Sequence, residues 1–232
     1  MATSQKNSGK CYICKKDFTK SGIKKHLLSC NNLGSGKTKY FLLKVEDTYD
    51  KSYWLYLQVK ANTTLDELDD FLRDIWLECC GHLSSFTIDD VVYDKVFNEE
   101  ESFFFNDAES MTDFKLIEVI NKGSTFIHEY DFGSTTTLKL TVVDSYTGIN
   151  SLEGISLLAR NNKKDFKCEE CGNDATYYLT DYDYSDYKVL CDDCIENIPE
   201  EEAEETIFIK ITNSPRMGIC GYEGDNDVYE LE

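Results

Sequence analysis

The sequence predicts an α+β fold in which a small mixed or antiparallel sheet, barrel-like or β-grasp-like, packs on a helix between an N-terminal zinc finger and a C-terminal zinc ribbon. Three observations indicate this architecture: alternating apolar residues typical of strands, one stretch of apolar residues at helical spacing, and Cys and His pairs at the spacing of zinc ligands. Because 41% of the 232 residues are hydrophobic and 13% are aromatic, the chain can bury a sizeable core.

Changes in composition along the chain predict four segments. These are a zinc finger at residues 1–31, a polar glycine-rich linker at 32–39, the α+β domain at 40–160, and the zinc ribbon with a C-terminal strand and tail at 161–232. Residues 1–39 contain nine lysines and one acidic residue, whereas the whole chain has a net charge of −20. A basic N-terminal segment is therefore joined to an acidic remainder.

A hairpin is predicted at the start of the α+β domain. YFLLKV (40–45) is followed by a polar turn and by YWLYLQV (53–59). In the second of these segments, side chains of one face alternate with those of the other, which is the period of a strand. The two series are Tyr53, Leu55, Leu57 and Val59, and Trp54, Tyr56, Gln58 and Lys60.

An amphipathic helix over about residues 65–79 is predicted after the hairpin. Thr64 and Glu67 have the spacing of a capping box, which starts helices. Apolar residues then recur at helical spacing, namely Leu65, Leu68, Leu72, Ile75, Trp76 and Cys79. We expect this helix to pack on the hairpin.

The other elements follow from shorter patterns. A short helical stretch is predicted near residues 113–120, after an acidic loop that contains phenylalanines. Further strands are predicted at residues 85–88, 91–95, 126–130, 137–143, 155–160 and 205–212. The strands at 126–130 and 137–143 are predicted to form a second hairpin. It turns at residues 131–134 and buries Leu138, Leu140 and Val142.

The clearest metal signal is a pair of CxxC motifs in the last segment. Two residues between cysteines let one tight turn present both sulfurs to one ion, and two such turns at the ends of a hairpin complete a tetrahedron. The predicted ligands are Cys168, Cys171, Cys191 and Cys194. Iron is the alternative ion, and redox-active or disulfide-bonded pairs are the alternative chemistry. Four protein ligands leave no open position, so we expect a structural zinc ion.

A second zinc site is predicted near the N-terminus, at Cys11, Cys14, His26 and Cys30. The pattern resembles the classical two-Cys, two-His zinc finger, with Phe18 and Ile23 where that family places its core. It departs from the family in a middle spacing that is one residue shorter and in the Cys at the last ligand position. Lys20, Lys24 and Lys25 on the expected helix are candidate contacts to nucleic acid. A solvated helix or a protein-docking finger is the alternative.

Several other residues invite a catalytic interpretation that the sequence does not support. GSGKT (34–38) precedes a strand instead of following one, and the DFG tripeptide at 131–133 has no kinase motifs beside it. We expect His82 and His128 to serve packing, and Cys79, Cys80 and Cys220 to be unligated. An enzyme with a pocket near His82, Tyr130 and Asp131 is the least favoured alternative, and no catalytic residue is predicted.

The central stretch, about residues 40–160, resembles the plasmid pRiA4b ORF-3-like family, which also occurs as transposon passenger proteins. The resemblance lies in YFLLKV, TTLDELDDFLRDIW, the His82-Leu83 pair with Phe86, and FIHEYDFG (126–133), and it extends to NSPRMGICGY (213–222). It implies a compact α+β fold without an assigned activity. Ser84 and Ser134 stand where members often have a His and an acidic residue, so the resemblance implies a depleted polar pocket.

These observations predict a non-catalytic zinc protein that acts as a binding or adaptor module, with two structural zinc ions as its cofactors. The partner is expected to be a protein. The alternative is a regulator that contacts nucleic acid through residues 1–39, linked to mobile elements. No apolar run approaches the roughly 20 residues that span a bilayer, so we expect a cytoplasmic protein without a membrane partner. The sequence does not predict the oligomeric state.

Overall fold

The computed structural model describes residues 7–30, 36–95, 108–150, 153–181 and 187–224. The strands in these ranges are β1 (Ser8–Cys11), β2 (Asp17–Thr19), β3 (Thr38–Asp47), β4 (Trp54–Lys60), β5 (Ser84–Ile88), β6 (Val91–Asp94), β7 (Glu109–Ser110), β8 (Thr125–Tyr130), β9 (Thr136–Gly148), β10 (Ile155–Asn161), β11 (Tyr177–Thr180), β12 (Tyr187–Leu190) and β13 (Ile207–Lys210). The helices are α1 (Lys20–Cys30), α2 (Leu65–Leu72), α3 (Leu116–Val119), α4 (Asp192–Ile195) and α5 (Glu200–Glu204). The predicted acidic loop lies mostly outside the described residues.

Ten strands form one sheet in the order β2-β1-β10-β4-β3-β9-β8-β5-β6-β7. All neighbours are antiparallel except the short β6–β7 pair. The sheet is open, because β2 and β7 are edges and are not paired with each other in the described part of the chain. The α+β class is confirmed, whereas the barrel-like form is not observed in these ranges.

Helix α2 covers one face of the sheet. The predicted capping box is confirmed, since the Thr64 amide donates to Glu67 Oε2 at 2.8 Å and the Glu67 amide donates to Thr64 Oγ1 at 3.2 Å. The α-helix ends at Leu72 and continues as a π-helical turn, Arg73–Leu77, so the predicted helix to residue 79 is too long. Three consecutive residues of this turn, Ile75, Trp76 and Leu77, are all buried.

The opposite face of the sheet is covered by α1. Leu42, Trp54 and Tyr56 pack there against Ile23 and Leu27 of the helix, and all five side chains are buried. The first hairpin is confirmed, with Leu43 opposite Leu57, and β4 is buried on both faces. Strand β3 begins at residue 38, inside the segment predicted as linker. The N-terminal segment therefore helps to cover the apolar side chains on the face of the sheet opposite α2.

The second predicted hairpin and the ribbon hairpin are both confirmed. Strands β8 and β9 pair with Phe126 opposite Leu140, and Leu138, Leu140 and Val142 are buried. In the C-terminal sheet, β11 is central, flanked by β12 and by the last strand, β13. Among the described residues, no helix is both long and apolar enough to cross a membrane.

The chain after β13 returns to the main sheet, and we call residues 211–224 the C-terminal tail. The indole N–H of Trp76 donates to the Asn213 carbonyl at 3.0 Å, and the Ser214 hydroxyl donates to the Trp76 carbonyl at 2.6 Å. The Arg216 guanidinium is fully buried and donates to the Ser134 carbonyl at 2.7 Å. The tail is thereby held against the C-terminal end of the α2 region.

Candidate metal centres

The N-terminal cluster consists of Cys11, Cys14, His26 and Cys30, and we call residues 7–30, which contain it, the N-terminal module. Its four donor atoms all lie within 4.8 Å of one another, with Cys14 Sγ 3.3 Å from His26 Nε2. Strand β1 supplies the first cysteine, the following turn the second, and α1 the other two donors. The left-handed conformation of Lys15, with φ 61°, lets this turn close within four residues.

Surrounding groups orient the donors of the N-terminal cluster. The Phe18 ring stacks on His26 with ring centroids 3.8 Å apart, which restrains the imidazole. A hydrogen bond from the backbone of Lys16 lowers the pKa of Cys14, whereas burial and the neighbouring cysteines raise the pKa of Cys30 to about 11. A metal ion that binds here must therefore displace a proton from Cys30.

The C-terminal cluster consists of Cys168, Cys171, Cys191 and Cys194, and we call residues 165–210, which contain it, the C-terminal module. All four sulfurs lie within 4.8 Å of one another, and those of Cys171 and Cys191 are 3.5 Å apart. Gly172, with φ 77°, closes the first turn and donates its amide to the Cys168 carbonyl at 2.9 Å. The second pair opens helix α4, where the Cys194 amide donates to the Cys191 carbonyl.

Two thiols of the C-terminal cluster, Cys168 and Cys194, have pKa values that are shifted in opposite directions. Burial raises the pKa of Cys168, but hydrogen bonds from the backbone of Cys171, Cys191 and Glu170 outweigh it and lower the pKa to about 6. The pKa of Cys194 is raised, chiefly by its hydrogen bond to Cys168. Beside a Cys168 thiolate, a bound cation would therefore favour deprotonation of Cys194. Sulfur donors of this kind suit soft or borderline metal ions.

The three lysines predicted to contact nucleic acid occupy different environments on α1. Lys20 Nζ pairs with Glu46 Oε1 of β3 at 2.7 Å and also donates to the Lys51 carbonyl. Lys24 and Lys25 are exposed. The first lysine therefore fastens the helix to the sheet, and the other two face solvent.

A third cluster, which sequence reasoning missed, brings together Cys79, Cys80, His82 and Cys220. Their donor atoms also lie within 4.8 Å of one another, and we call them the tail cluster. The first three residues follow the π-helical turn, whereas Cys220 belongs to the C-terminal tail. No local spacing links Cys220 to the others, so only the fold could reveal this arrangement. The CC-x-H motif at 79–82 was the one available signal.

The histidines outside the N-terminal module lie in contrasting surroundings. His82 is partly exposed, and its Nε2 lies 3.6 Å from Asp131 Oδ2 and its ring 5.8 Å from that of Tyr130. His128 is fully buried, and its Nε2 lies 2.7 Å from Asp69 Oδ1. The structure thus brings His82, Tyr130 and Asp131 together, as the enzyme alternative requires, but places three cysteines beside them.

A carboxylate network lies beneath the α2 face. Asp69 is fully buried and also pairs with Arg73 at 2.7 Å and with Lys95 at 3.2 Å. Burial raises the pKa of Asp69, but the hydrogen bond with His128 and the charges around it outweigh burial and hold the pKa below its ordinary value. Asp69 is therefore ionised at neutral pH, and its contact with His128 joins α2 to β8.

Comparison with known proteins identifies a family and a similar solved structure. The model of the family described as plasmid pRiA4b ORF-3-like protein matches residues 40–189. No curated protein matches. A crystal structure of a protein of unknown function from Methanosarcina mazei Go1 is similar at 16% identity and a TM-score of 0.45, over 59% of this chain and 76% of that one. The matched family region ends inside the C-terminal module.

Proposed function

The chain belongs to the plasmid pRiA4b ORF-3-like family, whose description names no activity, and from this premise we propose that it is a non-catalytic zinc protein that acts as a binding or adaptor module. One structural zinc ion is assigned to the N-terminal cluster, as a zinc finger, and one to the C-terminal cluster, as a zinc ribbon. We also propose a cytoplasmic location, because thiolates persist in a reducing compartment.

The observation that carries this proposal is the completeness of both ligand sets. Each cluster supplies four Cys or His donors within 4.8 Å of one another. Tetrahedral zinc with four protein ligands has no position for water or substrate, so such an ion neither activates a nucleophile nor polarises a carbonyl. Its contribution is to folding, with about 10 kcal/mol or more available per structural site at neutral pH.

The exposed charge of the C-terminal module supports a protein partner. Acidic side chains are exposed along α4, α5 and the first CxxC turn, namely Glu169, Glu170, Asp192, Asp193, Glu196, Glu200, Glu201, Glu202, Glu204 and Glu205. Such a surface repels the phosphates of nucleic acid and attracts a basic protein surface. The proposed partner is therefore a protein that presents Lys and Arg to this module.

Cobalt substitution tests whether the two ions are closed to solvent ligands. The cysteines of the tail cluster are first replaced by serine, in Cys79→Ser, Cys80→Ser and Cys220→Ser, so that Co²⁺ binds only at the two assigned clusters. We expect tetrahedral thiolate absorption that does not change when azide is added. The control is the same chain with His26→Gly, in which one position is open and azide must change the spectrum. If azide changes the Co²⁺ spectrum of the chain that retains His26, at least one of the two ions has an open position and is not purely structural.

The partner is tested by comparing two charge variants in a lysate of the cells that produce the protein. Glu200→Gln, Glu201→Gln, Glu202→Gln and Glu204→Gln together remove four charges from α5, and Asp66→Asn with Asp113→Asn is the control on another surface. We expect basic proteins that elute with salt to be lost only with the α5 variant. Identical captured proteins from both variants would contradict a partner bound through the acidic surface.

Nucleic-acid binding through the N-terminal module is the second candidate, and the exposure of Lys24 and Lys25 favours it. The two lysines protrude from α1 within a basic segment of the chain. If they contact phosphate, Lys24→Ala with Lys25→Ala lowers affinity for duplex DNA and reduces its salt dependence by about two phosphate contacts. Unchanged affinity in this variant, measured by fluorescence anisotropy across a salt series, would remove this candidate.

A further inference from the structure

We infer that the tail cluster is a third zinc site, in which Cys79, Cys80, His82 and Cys220 fasten the C-terminal tail to the end of the α2 region. The shortest distances among the donors are 3.0 Å between Cys80 Sγ and His82 Nε2 and 3.2 Å between His82 Nε2 and Cys220 Sγ. The sulfur of Cys80 lies 3.6 Å from that of Cys220 and 3.7 Å from that of Cys79.

These separations agree with those of a tetrahedral zinc site. With Zn–S bonds of about 2.3 Å, two sulfurs on one ion are about 3.8 Å apart, and a sulfur and a nitrogen are about 3.5 Å apart. The observed sulfur pairs are close to that distance, and the shorter contacts to His82 require only a small rotation of its ring. Three thiolates and one imidazole form the same donor set as the N-terminal cluster.

The backbone around the tail cluster is shaped to present its ligands. Gly81 has φ 75°, which turns the chain so that Cys80 and His82 face the same point. Cys220 itself has φ 51°, an unfavourable conformation for a residue with a side chain, beside Gly221 with φ 66°. Such strain persists where the surroundings compensate for it, and a bond to a metal ion would do so.

Neighbouring groups offset the charge of a zinc ion with three thiolates, which is −1 in total. Arg216 Nη2 lies 3.6 Å from Cys79 Sγ, and its guanidinium is fully buried. Asp131 Oδ2 is 3.6 Å from His82 Nε2, but Arg216 and the amides of Gly133 and Ser134 donate to that carboxylate. Asp131 therefore contacts the ligand His82 without binding the ion, and its carboxylate is not counted as a ligand.

The position of the site assigns its role. The Trp76 and Ser214 hydrogen bonds already hold the start of the tail, and Cys220 lies at the far end of the same segment. Zinc at the tail cluster would close this segment at both ends and order the chain up to Tyr222, which is buried. The thiol protons pass to solvent when the ion binds. No bound substrate is required, and two of the ligands are exposed, so the ion is accessible to chelators.

Metal analysis of the full-length chain, purified anaerobically without a tag, tests the inference. We expect three zinc ions per chain, falling to two in Cys80→Ser with Cys220→Ser. The matched control, Cys30→Ser, removes the N-terminal ion and leaves the tail ion. Two ions in the unaltered chain would overturn the third site and leave the proposed function intact, whereas fewer than two would contradict the proposed function as well.

A second measurement does not depend on how the variants fold. In the unaltered chain loaded with ¹¹³Cd²⁺, each occupied site gives its own resonance, and a four-thiolate site resonates downfield of one with three thiolates and an imidazole. We expect one resonance of the first type and two of the second. A single resonance of the second type, or peptide mapping that finds Cys80 and Cys220 joined as a disulfide, would overturn the inference.

Discussion

The two modules that contain the predicted metal ligands differ in how they are joined to the sheet. The N-terminal module continues it, because β1 pairs with β10 and Gly9 lies opposite Asn161. The C-terminal module has its own three-stranded sheet and a small core of Leu179, Leu190, Cys168 and Cys191. One module thus continues the central sheet, whereas the other has a sheet and a core of its own.

This difference has an energetic consequence. Burial of Ile23, Leu27 and Trp54 against each other stabilises both α1 and the central strands, so neither can unfold without exposing the other. The C-terminal module buries few large side chains, and Phe208 and Tyr187 remain exposed. A core this small would be only marginally stable without a bound ion. Loss of metal should therefore have global effects at the N-terminus and local effects at the C-terminus.

The largest expected effect comes from removing one ligand in each module. We expect Cys194→Ser to abolish hydrogen-exchange protection in β11 and β12 and to leave β3 and β4 protected, since a structural ion supplies about 10 kcal/mol to a module of this size. Cys30→Ser should instead lower protection in α1, β1 and β10 together. Hydrogen exchange measured by mass spectrometry distinguishes the two patterns. If both substitutions lowered protection in the central sheet to the same extent, the comparison would be contradicted.

The next largest effect is expected from Trp54→Ala, which removes the ring shared by the N-terminal module and the sheet. Trp54 is fully buried, and its indole N–H donates to Asn7 Oδ1 at 2.8 Å. We expect a loss of about 3–5 kcal/mol in the free energy of unfolding, measured by urea denaturation. Tyr178→Ala, which alters an aromatic pair of the C-terminal module, is the control and should leave the unfolding of the sheet unchanged.

Acid should lower the free energy of unfolding of the central domain through Asp69 of α2, which belongs to neither the N-terminal nor the C-terminal module. Because the pKa of Asp69 is below its ordinary value in the fold, its contribution is fully present above about pH 4 and is lost as the pH falls through the lowered pKa. Asp69→Asn should cost about 3 kcal/mol at neutral pH, because Arg73 and Lys95 lose a buried partner. The difference from the unaltered chain should shrink as the pH falls below about 4. A constant difference would assign the effect to packing alone.

Local signals predicted much of this fold, and long-range contacts account for what they missed. The capping box at Thr64, the hairpins and the CxxC turns each depend on a few neighbouring residues, so their patterns were readable in the sequence. The π-helical turn was not readable, because its residues, Arg73–Leu77, have the apolar spacing of an ordinary α-helix. The coverage of the second face of β4 likewise depends on a module that lies more than twenty residues away in the chain.

The candidate sites follow the same rule. Both predicted clusters have two-residue spacings that one turn can close, and the structure brings each set of four donors together. The tail cluster needs Cys220, which is 140 residues from Cys80, and pairing over that distance has no local signature. Lys20 shows the opposite case, in which a local signal misleads. Its charge and position suggested a contact with nucleic-acid phosphate, whereas in the fold it pairs with Glu46 of β3.

The smallest expected effect tests the contact between the N-terminal module and the sheet at a single atom. A Cβ at Gly9 would lie 2.2 Å from the Arg160 carbonyl oxygen and 2.4 Å from a ring carbon of Trp54. Gly9→Ala must therefore separate β1 from β10 or displace the indole, at a cost of about 1–3 kcal/mol. Gly22→Ala, on α1 of the same module, meets only the Thr19 hydroxyl and gains helix propensity, so it should not destabilise. If Gly9→Ala and Gly22→Ala change the melting temperature equally, β1 does not pack on β10 and Trp54 as closely as the comparison requires.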